Sequence, residues 1–148
     1  MYTLLECKVH KFGTLGNYKF VDVFAIHNDK WIFCKQKEKT TWENPGGHIE
    51  IEEEPFEAAK RELFEETGAI DYDIEPLCDY WVNLELNGNN ITAHGQVYFA
   101  NVHLLSKIPE ESEMEQIGFF DFLPQELTWP ITTEIFFPIA LKRKMDFS

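Results

Sequence analysis

Gly47-His48-Ile49-Glu50-Ile51-Glu52-Glu53-Glu54-Pro55-Phe56-Glu57-Ala58-Ala59-Lys60-Arg61-Glu62-Leu63-Phe64-Glu65-Glu66-Thr67-Gly68-Ala69 is the stretch on which the reading turns. Its second half predicts a helix. Pro55 suits a first helical turn, acidic residues crowd that turn, and Gly68 after Thr67 is a natural stop. Phe56, Ala59, Leu63 and Thr67 recur at helical spacing and are expected to face a sheet. Glu62, Glu65 and Glu66 stand three and four apart, so their carboxylates share one face. That face borders the apolar one, which places the acids half-buried at the rim of a sheet. Like charges so close repel, and a hard divalent cation that prefers carboxylate oxygen offsets the repulsion.

The rest of the chain predicts strands around this helix. Tyr18 to His27 and Trp31 to Lys35 read as a hairpin about Asn28-Asp29-Lys30. Glu43 to Gly47 reads as a loop. Ile70 to Leu86 is strand-like but broken. A turn at Asn87 to Asn90 leads to a long strand from Ile91 to Leu105, and Ile117 to Phe122 is a short one. Thr133 to Lys144 reads as a terminal helix that Pro138 should kink or delay. Strands interleaved with two helices predict an α/β or α+β fold with a mixed sheet. The 148 residues suit a single domain spanning 1–148.

Composition narrows the partners. Against 26 acidic residues there are 13 Lys and Arg, a formal net charge of −13, which disfavours holding nucleic acid or an anionic membrane by their phosphates. Glu50 to Glu75 holds 11 acids and 2 bases, so the acidity is concentrated in one loop and helix that attract cations. Cys7, Cys34 and Cys78 are odd in number and widely spaced, which argues against a disulfide framework or a structural zinc site. No signal-peptide pattern opens the chain and no apolar run reaches membrane-spanning length, so the expectation is a cytoplasmic protein.

The quoted segment resembles the Nudix box, G-x5-E-x7-R-E-U-x-E-E-x-G-U with U aliphatic. Gly47, Glu53, Arg61, Glu62, Leu63, Glu65, Glu66 and Gly68 fall on the pattern, and Ala69 is a small last U. The resemblance implies the Nudix fold, a mixed β-sheet sandwiched between helices, and a stand-alone MutT-type hydrolase. It implies Mg²⁺ or Mn²⁺ held by Glu62, Glu65, Glu66 and the carbonyl of Gly46. Glu53 matches the early box glutamate, and Arg61 matches an arginine that orients carboxylates by charge-assisted hydrogen bonds. A further acid from a late loop is expected, Glu113 first and Glu115 as the alternative. The implied reaction is attack of water on a nucleoside diphosphate linked to a further moiety, with Glu62 or Glu66 taking the proton and Glu113 as another choice.

For substrate, the resemblance points to a nucleoside triphosphate, including an oxidised purine nucleotide of the 8-oxo-dGTP kind, cleaved to a monophosphate and pyrophosphate. ADP-ribose, a dinucleoside polyphosphate or another diphosphate is the alternative, and a Nudix-fold nucleotide sensor without catalysis is a second. Sensors commonly lose box glutamates, and every specified acid is present here. Lys35 among Lys35, Lys37 and Lys39, together with His48, are the candidates for phosphate contact. Trp81, chosen over Trp42, Tyr80 and Phe99, is the candidate for stacking a base. A homodimer is the expected partner state, since homodimers are common in the family.

Overall fold

The computed structural model describes residues 2–146. The elements in chain order are β1 (Tyr2–His10), β2 (Tyr18–His27), β3 (Lys30–Gln36), β4 (Gly46–His48), α1 (Pro55–Thr67), β5 (Ala69–Leu86), β6 (Asn89–Leu105), β7 (Met114–Phe120) and α2 (Pro130–Asp146). The strands form one seven-stranded sheet in the order β1-β5-β6-β2-β3-β7, with β4 paired to β2. β2 and β6 run parallel and the other pairs antiparallel, giving the mixed sheet expected of an α+β fold.

Alternation along the strands creates two cores, one under each helix. Phe24, Ile26, Trp31, Phe33, Tyr80, Val82 and Phe99 pack with Phe136, Phe137 and Ala140 of α2. Val21, Val23, Ala25, Ile32, Tyr98 and Ala100 pack with Ala58, Ala59 and Leu63 of α1. The helices therefore cover opposite faces of the sheet. No helix among the described residues is long and apolar enough to cross a membrane.

Helix α1 begins with Pro55 at its first turn and ends at Gly68, whose φ of 81° is left-handed and whose N–H donates to the Phe64 carbonyl at 2.8 Å. Of the residues expected to face the sheet, Ala59, Leu63 and Thr67 are buried, but Phe56 is 40% exposed and Ala58 takes its place. The Phe56 ring lies instead at the helix margin, 5.8 Å from the ring of Tyr98.

Four elements differ from the sequence reading. Strand β1 was not foreseen, because it is an edge strand with little burial and its apolar residues do not alternate cleanly. Gly46 and Gly47, expected in a loop from Glu43 to Gly47, pair with β2 together with His48 as a short strand. β5 is continuous, with its irregular pattern explained by shifts in register, one of them at Pro76, which cannot donate to the ladder. Helix α2 starts at Pro130 and runs through Pro138, held by the burial of Thr133, Phe136, Phe137 and Ala140 on both sides of it.

Candidate active site

A cavity of about 680 Å³ opens where β2, β4 and α1 meet, and β1, β5 and the start of α2 close its far side. Arg61 organises one end. Its Nε and Nη2 donate to the two carboxylate oxygens of Glu53 at 2.7 and 2.9 Å. Its Nη1 donates to Glu62 at 2.8 Å and Glu65 at 2.9 Å, and Nη2 also donates to the His48 carbonyl at 3.1 Å. Glu50 lies 3.2 Å from Nε. A planar fork is what lets a single side chain serve so many acceptors. The Arg61 hydrogen bonds overcome burial and hold the Glu53 carboxyl below the usual glutamate range.

Glu62 and Glu66 are the strained acids. Burial pushes Glu62 up to about 7; Arg61 opposes this, and the charges of Glu65 and Glu113 add to it. Burial pushes Glu66 up to about 9, with further upward pressure from Glu62, Glu43 and Glu113. The Gly46 N–H donates to Glu66 at 2.8 Å and partly relieves it. Glu113 lies on the cavity wall, just before β7, whereas Glu115 turns away to Lys35 at 3.8 Å.

These residues fit a hard divalent cation in donor chemistry and in charge. They offer carboxylate oxygens beside the Gly46–Gly47 backbone, and Glu62 and Glu66 are raised by burial and then by neighbouring carboxylates, whose mutual repulsion a cation would offset. Among the described residues no three His, Cys, Asp or Glu side chains converge into a ready cage. Arg61 Nη1 holds Glu62 and Glu65 together, while the Gly46 N–H holds Glu66 apart from them.

The remaining candidates divide. His48 borders the cavity, its ring edge-on to Phe20 at 4.9 Å. Lys35 is absent from the cavity wall and faces Glu115. Trp81 is also absent from it: alternation turns Tyr80, Val82 and Leu84 inward and Trp81 outward, where Lys8 lies 5.5 Å from its ring. Tyr80, with Phe20 and Trp129, therefore lines this cavity where Trp81 does not.

The sequence reading missed two acids on this cavity wall, one buried and one half-buried. Glu43 is 7% exposed and accepts from Gln36 at 3.1 and 3.3 Å. Burial raises its carboxyl, and the hydrogen bonds only partly offset this. Asp22 accepts from the Tyr80 hydroxyl at 2.6 Å and from the Asn44 amide at 3.0 Å. Burial raises Asp22 too, against the pull of those two bonds. The available signal was an aspartate in the middle of the apolar run Phe20-Val21-Asp22-Val23-Phe24.

Comparison with known proteins gives a consistent result. A family model of the NUDIX domain matches residues 19–131. YtkD of Bacillus subtilis strain 168, named provisionally as an 8-oxo-dGTP diphosphatase, is 30% identical over 130 residues, covering 84% of this chain and 79% of that protein. An RNA pyrophosphohydrolase of Bartonella henselae is 37% identical over 61 residues, 41% of this chain and 32% of the relative. The crystal structure of the Bacillus subtilis pyrophosphohydrolase BsRppH superposes with a TM-score of 0.77 at 26% identity, covering 95% of this chain and 89% of that one.

Proposed function

The chain belongs to the NUDIX family, as a hydrolase acting on nucleoside diphosphate derivatives, and from that premise we propose that its substrate is a nucleoside triphosphate, released as a monophosphate and pyrophosphate. The observation that carries this reading is the set of Glu62, Glu66 and Glu113 on one cavity wall beside the Gly46–Gly47 backbone, with Arg61 holding the neighbouring acids in place. The name of the YtkD relative supports a triphosphate and includes an oxidised purine nucleotide among the candidates.

When bound by Glu62, Glu65, Glu66, Glu113 and the Gly46 carbonyl, Mg²⁺ or Mn²⁺ supplies charge neutralisation at the phosphate oxygens and eases deprotonation of the attacking water. The chain's own residues do the rest. Glu62 or Glu66 accepts the proton of that water as it attacks phosphorus. Arg61 keeps Glu62 and Glu65 oriented through charge-assisted bonds. His48, which lines the cavity, remains the candidate for contact with an outer phosphate.

A second reading, in which the triphosphate is the 5′ end of an RNA, draws on the Bartonella henselae relative. Arg61 is the one Lys or Arg among the cavity-lining residues described, and it is engaged by carboxylates. A track for an RNA backbone needs free basic groups, so the free nucleotide is favoured.

The deciding experiment separates and quantifies the products by chromatography, with Mg²⁺ and with Mn²⁺, from GTP, dGTP, 8-oxo-dGTP, ADP-ribose, a dinucleoside tetraphosphate and a 5′-triphosphorylated oligoribonucleotide, because ADP-ribose and the dinucleotide are cleaved without release of free phosphate or pyrophosphate. Faster turnover of ADP-ribose or the dinucleotide than of every triphosphate overturns the proposal. Faster turnover of the oligonucleotide than of free nucleotides selects the second reading.

A further inference from the structure

Asp22 has no part in the chemistry above, yet it is a half-buried carboxylate on the cavity wall. On β2 it shares the sheet face of Phe24 and Ile26, which pack with α2, while its neighbours Val21 and Val23 pack with α1. It therefore lies on the part of the cavity turned away from the glutamate helix. The walls beside it are apolar or aromatic: Phe20, Val82 and Leu84, with Tyr2 and Leu4 from β1. Such walls suit a flat ring and offer nothing to a phosphate.

The carboxylate is fixed by neutral donors alone. Tyr80 and Asn44 occupy one lone-pair site on each oxygen, and a carboxylate carries about four such sites. One acceptor site per oxygen remains, and Arg61, the cation of this cavity, is engaged elsewhere. A buried acid without a cation is costly unless donors complete its shell. Two side-by-side acceptors match two side-by-side N–H donors. Among the bases, guanine presents that pair at N1 and the exocyclic N2. Hypoxanthine keeps only the N1 donor. Adenine sets the acceptor N1 beside its amino group, and that acceptor would face a carboxylate oxygen.

We propose that Asp22, oriented by Tyr80 and Asn44, is the base-selecting residue of this cavity and that it favours guanine nucleotides. The proposal rests on the nucleoside triphosphate reading above. The 8-oxo form of guanine retains both donors, so Asp22 selects guanine over adenine and does not distinguish the oxidised base from the normal one. Tyr80 and Asn44 act through Asp22 as positioning residues.

The test separates recognition from hydrolysis. Equilibrium binding of GMP, IMP and AMP is measured calorimetrically for the wild type, Asp22→Asn and Tyr80→Phe, alongside kcat/KM for GTP, ITP and ATP. The wild type should bind GMP about 10- to 100-fold more tightly than AMP, with IMP between them, since a matched bidentate pair discriminates by that order. Asp22→Asn, whose amide offers one acceptor and one donor, should weaken GMP binding and leave AMP binding unchanged or tighter, so that the preference is lost. Tyr80→Phe, which keeps the ring and loses the hydroxyl, should weaken the preference partially and leave the thermal midpoint near that of the wild type. Equal binding of the three monophosphates by the wild type overturns the proposal, as does an equal loss for GMP and AMP in Asp22→Asn. Guanine-selective binding without hydrolysis of any triphosphate upholds it and overturns the triphosphate reading instead.

Discussion

Gly47 lies so close to Glu62 that a β-carbon on the glycine would overlap the glutamate carboxylate. The atom in the way is the far end of a flexible side chain, so the backbone has no need to move. Gly47→Ala is therefore expected to displace Glu62 and leave the fold intact. Activity should fall by about 100-fold, the order expected for a misplacement of about 1 Å, while stability changes by less than about 1 kcal/mol. Gly46→Ala behaves oppositely. Its β-carbon would meet the Val21 carbonyl oxygen at 2.5 Å and the Asp22 Cα at 3.2 Å, both backbone atoms. That overlap should cost about 1–3 kcal/mol. Urea denaturation and kcat on both variants check the contrast, and a Gly47→Ala protein that is active but unstable would refute the first half.

Arg61 joins Glu50, Glu53, Glu62 and Glu65 through one planar group. A lysine keeps the charge and loses the fork, so Arg61→Lys should retain the fold in part and lose geometry. Activity is expected to fall about 10- to 100-fold, with more Mg²⁺ required for half-maximal rate, as for other residues that orient metal-binding side chains. Arg61→Ala should in addition lower the thermal midpoint measured in chelator, because Glu53, Glu62 and Glu65 would then face one another unpaired. Kinetic titration with Mg²⁺ and melting in EDTA measure the two effects separately.

The glutamate end of the cavity was readable in sequence because its geometry is local. Glu62, Glu65 and Glu66 lie within two turns of one helix, and helical spacing alone decides which of them share a face. Arg61 and Glu53 were legible only through the resemblance to the Nudix box, since Glu53 lies before the first turn of α1. The other end is built by long-range pairing. Asp22, Asn44 and Tyr80 meet only because β4 pairs with β2 and because β5 presents even-numbered residues inward after its shift between Pro76 and Cys78. A single register shift reverses which residues of a strand face the core, and that parity separates Tyr80 from Trp81. Strand β1 escaped notice for a related reason: as an edge it buries little, and Tyr2 and Leu4 take their role from the partner strand.

Glu66 makes the stability of the cation-free protein depend on pH. Its carboxyl is raised by burial, then by Glu62, from an ordinary value of 4.5 to about 9. A folded state that holds its proton more tightly than the unfolded chain is favoured at low pH and loses that advantage as pH rises. Glu62 contributes in the same direction between 4.5 and about 7. In EDTA the thermal midpoint should therefore fall between pH 5 and 9, as far as these two groups govern it. Excess Mg²⁺ should raise the midpoint most at the alkaline end, where the carboxylates are free to bind it. Glu66→Gln should flatten the decline, blunt the Mg²⁺ response and abolish most hydrolysis with the fold intact. A midpoint in EDTA that rises from pH 5 to 9 in the wild type and not in Glu66→Gln would contradict this account.

Asp79 predicts the opposite sign. It is fully buried, and its two oxygens accept from the Gly13 and Leu15 N–H groups at 3.0 Å, from Gln96 at 2.9 Å and from the Tyr18 hydroxyl at 2.5 Å. Burial pushes its carboxyl up, but the bonds from Tyr18, Gly13, Leu15 and Gln96 together win and leave it below the usual aspartate range. The stabilisation is thus complete above the unfolded-state value and is lost as pH falls through the lower folded-state one. Asp79→Asn keeps one acceptor oxygen and turns an N–H₂ group toward donors, which should cost about 2–4 kcal/mol at pH 7. The variant should also show a weaker loss of stability on acidification than the wild type. Because Gly13 and Leu15 belong to the segment between β1 and β2, that segment should loosen first, and limited trypsin digestion should cut at Lys11 in the variant before the rest of the chain unfolds. Intact Lys11 under conditions that cleave elsewhere would show that Asp79 is not what ties this segment to the sheet.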